Sequence, residues 1–449
     1  MALSGRTTRA VLIASVGALM TISAPFTASA AMPSSAAHSQ LGAAIANDAD
    51  DLRSFYEARD YAPLWLSSDG RATPAALRLL DRLDSASFDA LDERTVKRLR
   101  TKAVRRDLER ARSGKPGAVA QADVELSAMF ADYVRAMRAA PRSNMIYESA
   151  ALAPAVPTRI SALESAAEAR SLEQYIDQMG WMHPYYAPLR EAMEFRQYSP
   201  AQRRTIWDNL ARVRALPATP ADRYVLVDTA SARLSMFEDG REVDSMKVVV
   251  GRPDSQTPAM AGFIRFATVN PYWNVPPDLV QRTIAKGVLS GGTKYLKRNG
   301  YEVLASYDPD APLLNPAKVD WEAVAQGAPG PYVRQKPGGG NFMGKVKYEF
   351  PNPQGIYLHD TPERALLKRD ERQLSNGCVR LEDADRLGRW LLGTQVSKIP
   401  AGKERKLDLP TLVPVYITYL TAVPSENGIA FRSDVYGRDT APRMAALAP

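Results

Sequence analysis

The chain has 449 residues, 58 Lys and Arg against 50 Asp and Glu, a formal net charge of +8, three histidines and a single cysteine. The basic residues are interspersed with acids rather than grouped into runs, which argues against nucleic-acid binding and leaves an anionic polymer or plain solvation as readings of the charge. One cysteine excludes an internal disulfide, and the length exceeds one typical domain, so two or more are expected.

Residues 1–30 read as a secretory signal, with Arg6 and Arg9 ahead of the apolar stretch from Ala10 to Ile22 and Ala28-Ser29-Ala30 as a small-residue cleavage site. Cleavage there starts the mature chain near Ala31 and, by removing two arginines, lowers its charge to +6. The apolar stretch falls short of the roughly 20 residues that a bilayer span needs, and no later segment reaches that length. A soluble exported protein is expected, with an uncleaved N-terminal anchor as the alternative.

Residues 31–47 form an Ala/Ser-rich flexible leader, and from 48 to 216 the helical period dominates. Thr73-Pro74 supplies an N-cap with proline at the first helical position, and Leu77, Leu80 and Leu83 follow as one apolar face. Leu126, Met129, Phe130, Tyr133, Val134 and Met137 keep the spacing of an amphipathic helix. Ser199-Pro200 opens another, carrying Ile206, Leu210 and Val213. These stripes read as core rather than binding surface.

Two prolines in Leu216-Pro217-Ala218-Thr219-Pro220 stop helix propagation and mark a boundary near residue 220. Beyond it, Tyr224-Val225-Leu226-Val227 and Met246-Lys247-Val248-Val249-Val250 are rich in β-branched residues, with a hairpin turn in Phe237-Glu238-Asp239-Gly240. Pro276 to Gly340 is a Pro/Gly-punctuated insertion with short helical patches around Leu279 to Ile284 and Trp321 to Ala325. An insertion of that length in a compact domain is usually functional or disordered, and Gly338-Gly339-Gly340 reads as a hinge or tight turn. Strands resume at 344–350, 355–358 and 413–422.

The chemistry concentrates late in the chain. Cys378 sits in Ser375-Asn376-Gly377-Cys378-Val379-Arg380, and His359, in Ile356-Tyr357-Leu358-His359-Asp360, lies 19 positions before it. A lone thiol in an exported chain can pair between molecules, stay buried and inert, or act as a nucleophile once deprotonated. His359 ends a predicted strand, and the Ser-Asn-Gly turn points backbone N–H groups towards one spot. Thiol, imidazole and oxyanion donors together are what acyl transfer requires, and Gly377 and Arg380 beside Cys378 ill suit a buried core thiol.

These residues resemble the catalytic signature of the L,D-transpeptidases of bacterial peptidoglycan (YkuD-type), in particular the large periplasmic YcbB-like subgroup. The resemblance extends to Val248-Val249-Val250-Gly251 with Thr257-Pro258, to Asn270-Pro271-Tyr272-Trp273-Asn274-Val275-Pro276, to Arg334-Gln335-Lys336-Pro337-Gly338 and to Phe431-Arg432-Ser433-Asp434-Val435-Tyr436-Gly437. It covers nearly all of 222–440, while Phe55-Tyr56 and Pro63-Leu64-Trp65 resemble the subgroup's scaffold domain less closely.

The resemblance implies a multidomain α+β fold. A mainly helical scaffold domain (48–216) precedes a β-rich catalytic domain (222–440) with a capping lid inserted at 276–340, and 441–449 form a tail. It implies Cys378 as nucleophile and His359 as base, then acid, in cleaving the meso-diaminopimelate–D-alanine bond of a tetrapeptide stem. Transfer to an amine typically makes a cross-link between two third-position residues. The backbone N–H groups of Asn376, Gly377 and Cys378 would form the oxyanion hole. Tyr357, Arg380, Ser375 and Trp273 are the expected substrate contacts, with a structural ion pair as the other reading of Arg380 and core packing as that of Trp273 and Trp321. No metal or cofactor is called for, and the periplasm is the expected location.

Two departures accompany the resemblance. Many members of the wider family carry a histidine where this chain has Asn376, which leaves His359 as the sole base. There is also no room before residue 222 for a separate peptidoglycan-binding module. The acceptor amine is left open: another stem, an outer-membrane protein or a free D-amino acid. So is a non-catalytic wall-binding scaffold that keeps the fold.

Overall fold

The computed structural model describes residues 40, 42–43, 52–99, 101–139, 144–194, 197–308 and 310–439. The expected signal, nearly all of the expected leader and the 441–449 tail lie outside the described residues. No helix among the described residues is long and apolar enough to cross a membrane.

The first half is helical, as its periodicity predicts. Thr73 Oγ1 accepts the Ala76 N–H at 3.2 Å and starts the helix Pro74–Asp84. Its buried face is Ala76, Leu79, Leu80 and Leu83, whereas Leu77 is 51% exposed. The expected Leu77 face is thus corrected: residue 77 stands about 100° round the helix from residue 76, outside the stripe that meets the core. Ser199 and Gln202 form a reciprocal capping box at the helix Pro200–Val213, which buries Ile206, Leu210 and Val213.

The long helix Pro116–Arg138 organises this half. Its Asp123, fully buried, accepts the N–H groups of Leu64, Trp65 and Leu66 and the Tyr56 hydroxyl, which locks the preceding loop against the helix. Phe130 on the same helix packs edge-on to Trp181 and tilted against Trp65. At its C-terminus Arg214 donates to the carbonyls of Ala136, Met137 and Ala139, so a buried guanidinium satisfies the last turn where the helix dipole favours positive charge.

The described strands include a closed ring of eight, built past the proline linker. In chain order they are β1 (Ile146–Tyr147), β2 (Arg223–Asp228), β3 (Arg233–Glu238), β4 (Arg241–Gly251), β5 (Met260–Val269), β6 (Trp273–Asn274), β7 (Tyr301–Leu304), β8 (Tyr332–Gln335), β9 (Val346–Glu349), β10 (Leu358–His359), β11 (Gln373–Ser375), β12 (Val379–Leu381), β13 (Arg405–Thr418), β14 (Ala422–Ser425) and β15 (Gly428–Phe431). The path β5-β13-β2-β3-β4-β12-β10-β9 returns to β5, with β1 added on β5 and β11 on β4. Asp239 and Gly240 both take positive φ in the β3–β4 turn, the conformation that an Asp-Gly hairpin signal predicts.

Strand alternation gives the ring two faces. Val225, Val227, Leu234, Met236, Val248, Val250, Leu358, Val379, Val415 and Ile417 point into a core closed by Leu387 and Leu391 of the helix Ala384–Leu392. The opposite face, with Tyr224, Leu226, Phe237 and Tyr416, packs on Leu152 and Leu216, joining the sheet to the helical half.

The chain order and the packing differ at two places. Ile146–Tyr147, before the linker, pairs with β5 in the sheet. Ala422, Val423, Ile429 and Phe431 of the β14–β15 hairpin, counted by sequence with the later half, pack into the core of the helices. The insertion is a small folded unit rather than a loop: β6-β8-β7 form a sheet, and Val275, Leu279, Ile284, Val303, Trp321 and Val333 are its core.

Candidate active site

His359 and Cys378 are brought together by pairing of their strands. β10 runs parallel to β12 with Leu358 opposite Val379 and His359 opposite Arg380, and the Val379 N–H donates to the Tyr357 carbonyl at 2.9 Å. Leu358 and Val379 point into the ring core, so alternation turns His359, Cys378 and Arg380 to the other face. There they line one cavity of about 750 Å³. Its far wall is the inserted unit, through Val275, Pro276, Asp278, Leu279, Thr283 and Ile284. A hollow of about 920 Å³ among Leu83, Lys97 and Arg105 in the helical half is larger, yet it holds neither a thiol nor an imidazole.

The imidazole is held in one tautomer. Its Nδ1 lies 2.5 Å from the Asp360 carbonyl oxygen, which can only accept, so Nδ1 carries the proton and Nε2 keeps the lone pair. That carbonyl is itself fixed. The Asp360 N–H donates to Val346, and the Asp360 carboxylate accepts the Lys345 N–H at 2.9 Å and pairs with Arg364. Gly344, with φ of 64°, leaves the space this carboxylate needs, since a Cβ there would lie 2.4 Å from Oδ2.

The cysteine stands on a braced turn. Ser375 Oγ donates to the Cys378 carbonyl at 2.6 Å and accepts the Gly377 N–H at 3.1 Å. Thr257 Oγ1 donates to the Gly377 carbonyl at 2.6 Å and accepts the Gly251 N–H at 2.9 Å. Gly377 has φ of 120°, a backbone state that side chains rarely adopt, and this lets the turn present the sulfur to the cavity.

The expected contacts take different places around the cavity. The Gly377 N–H is engaged by Ser375, so among the described residues Asn376 and Cys378 are the members of the expected oxyanion trio whose N–H groups meet no acceptor. Ser375, expected to touch substrate, is among the residues lining the cavity but is 2% exposed, and its hydroxyl is engaged by the turn. The Tyr357 ring is not among the cavity's lining residues and lies under Lys347, at 5.2 Å. Arg380 lines the cavity but is paired with Glu363, which lines it too. Trp273 is a wall residue packed on Phe342, while Trp321 is buried in the core of the inserted unit and donates to the Pro316 carbonyl.

Both halves of the chain match known domain families. Residues 222–415 match the L,D-transpeptidase catalytic domain (YkuD), and residues 50–193 match the scaffold domain. A Haemophilus influenzae protein, whose name assigns it provisionally to the L,D-transpeptidases, is 28% identical over 408 residues, which is 88% of this chain and 79% of that protein. The chain carries an L,D-transpeptidase catalytic domain behind a scaffold domain. Solved structures give weak overall superpositions. An L,D-transpeptidase from Mycobacterium smegmatis has a TM-score of 0.22 at 13% identity, over 44% of this chain and 58% of that one. L,D-transpeptidase 3 from Mycobacterium tuberculosis, with a faropenem-derived adduct, has 0.21 at 15%, over 44% and 60%.

Burial favours the neutral form of both the imidazole and the thiol. Burial, with Arg380 adding to it, holds His359 down to about 3. Burial pushes the Cys378 thiol above its usual range, against the pull of the Tyr357 N–H and of Arg380. The thiol donates to the Gly355 carbonyl, 3.6 Å away, and no hydrogen bond joins sulfur to imidazole among the described residues.

The same burial predicts acid lability. His183 is likewise depressed to about 3 by burial, with Arg138 adding to it. An unfolded histidine takes its proton below about pH 6.5, whereas these two refuse it until about pH 3. Stability is therefore complete above pH 6.5 and falls as the pH drops through that window, by about 2 kcal/mol for each histidine at pH 5. Urea unfolding at pH 7.5 and pH 5 should show the loss, and His183→Gln should make it shallower.

Thr257 is the functional-site residue whose role the sequence did not reveal. It stands in a motif, but the backbone carbonyl it braces is 120 positions away in sequence.

Proposed function

We propose that this enzyme cross-links peptidoglycan through a Cys378 thioester, acting in the periplasm after its N-terminal signal is cleaved. The observation that carries this reading is a thiol on a braced turn and an imidazole of fixed tautomer sharing one face and one capped cavity. The thiol proton passes to His359 Nε2 as sulfur attacks the meso-diaminopimelate carbonyl of a tetrapeptide stem. The N–H groups of Asn376 and Cys378 receive the oxyanion. The tetrahedral intermediate collapses with proton transfer from His359 to the departing D-alanine amine, leaving the thioester. The side-chain amine of a second diaminopimelate then attacks, His359 takes its proton, and the thiolate leaves and is reprotonated as the cross-link forms.

The inserted unit serves as a lid in this scheme. Its apolar residues Val275, Leu279 and Ile284 limit water at the thioester stage, which favours aminolysis over hydrolysis. The test is incubation of the purified enzyme with a disaccharide-tetrapeptide, followed by mass spectrometry. Free D-alanine together with a dimer linked between third positions is expected. Tripeptide alone would mean hydrolysis, and exchange of an added D-amino acid without dimer would move the acceptor to that amine; either would overturn the cross-linking role.

A further inference from the structure

His359 has a cation on each side of it in the sheet. Arg380 is its partner on β12, and Lys347 is its antiparallel partner on β9. Lys347 is well placed to be a fixed charge rather than a solvated one. Its side chain is 18% exposed, Nζ is 3.1 Å from Glu349 Oε1 and 5.2 Å over the Tyr357 ring, and Glu349 is anchored in turn by the Thr268 hydroxyl at 2.6 Å. Lys347 thus stands directly across from His359, with its carboxylate partner two residues further along the strand.

We propose that Lys347 is a positioning residue for acyl transfer, its ammonium held across the sheet so that it acts electrostatically on the Cys378–His359 pair. This rests on Cys378 being the nucleophile and His359 its base. A positive charge there stabilises the thiolate and disfavours the imidazolium, so that a proton accepted by His359 is passed on readily to the leaving amine. Lys347 bears on both groups in this direction, lowering the thiol and the imidazole alike. Of the other titratable groups around the pair, Tyr295 and Tyr301 of the inserted unit line the same cavity, stacked on each other, and the charged ones are paired. Arg380 is paired with Glu363, the Asp360 carboxylate with Arg364 and Asp278 of the lid with Arg282, and Tyr357 lies under Lys347 itself.

The single cysteine makes the test clean, because iodoacetamide alkylation of the folded protein reads one thiol. In Lys347→Met the midpoint of the alkylation rate against pH should rise by about one unit, and the rate at pH 8 should fall several-fold. Lys347→Arg should restore both, and kcat for acylation should fall in Lys347→Met with KM little changed. Glu349→Gln removes the offsetting anion and should move the midpoint down, which decides the matter if Lys347→Met does not fold. A midpoint unchanged in the folded Lys347→Met protein, or unchanged in Glu349→Gln, overturns the proposal. Wild-type enzyme that forms no thioester at Cys378 would instead refute the catalytic reading, and the alkylation midpoints would remain as a separate result.

Discussion

Cys378→Ala is expected to abolish acyl transfer, with a loss of about 10⁵-fold or more in thioester-dependent turnover and no change in secondary structure. This chain has one thiol, and no other side chain lining the capped cavity combines a nucleophile of that strength with a neighbouring imidazole. Alanine also keeps the backbone, so the Ser375 and Thr257 braces, which bond only main-chain atoms of the turn, remain in place. Release of D-alanine from a tetrapeptide is the readout. Residual turnover within tenfold of wild type would mean that Cys378 is not the nucleophile.

His359→Gln should cost about 10³-fold in acylation, in the range that a positioned general base contributes. Glutamine can still meet the Asp360 carbonyl, but it cannot accept the thiol proton. Because His359 is held neutral down to about pH 3, the wild-type acylation rate should show no loss of base between pH 7 and pH 5 beyond what unfolding explains. Stopped-flow acylation checks both points. A fall in rate centred near pH 6.5 would show that substrate-competent His359 is solvated, contrary to its burial.

The sequence made the elements easy to read where local chemistry decides them. Thr73-Pro74, Ser199-Pro200 and Asp239-Gly240 act within a few residues, and each forms the cap or turn expected of it. Cys378 and His359 were legible for a related reason: they lie 19 positions apart on either side of one crossover, and their residue types are rare in this chain. Other features were hidden because they depend on contacts distant in sequence. Which face of a helix meets the core is a tertiary matter, so Leu77 was placed inside although Leu79 occupies the buried stripe. That Ser375 would close on its own turn, that Glu363 would pair with Arg380, and that Tyr357 would lie under Lys347 follow from strand register. The β14–β15 hairpin could not be assigned to the helical core from its pattern, because an alternating strand does not reveal which partner covers its apolar face.

The roles of Gly251 and Thr257 show how the fold supports the site. A Cβ at Gly251 would lie 2.2 Å from the Ser255 carbonyl, so only glycine permits the tight turn that carries Thr257 under the Gly377 carbonyl. Residues that look like sheet and loop in sequence thus set the geometry of the reactive turn.

The most direct test of the account is intact-mass analysis of the folded wild-type protein after exposure to a carbapenem, with peptide mapping of any adduct. One equivalent of drug, attached at Cys378 and absent from Cys378→Ala, is the predicted result. No adduct in folded wild-type protein, or one attached at any residue other than Cys378, would contradict the thioester mechanism.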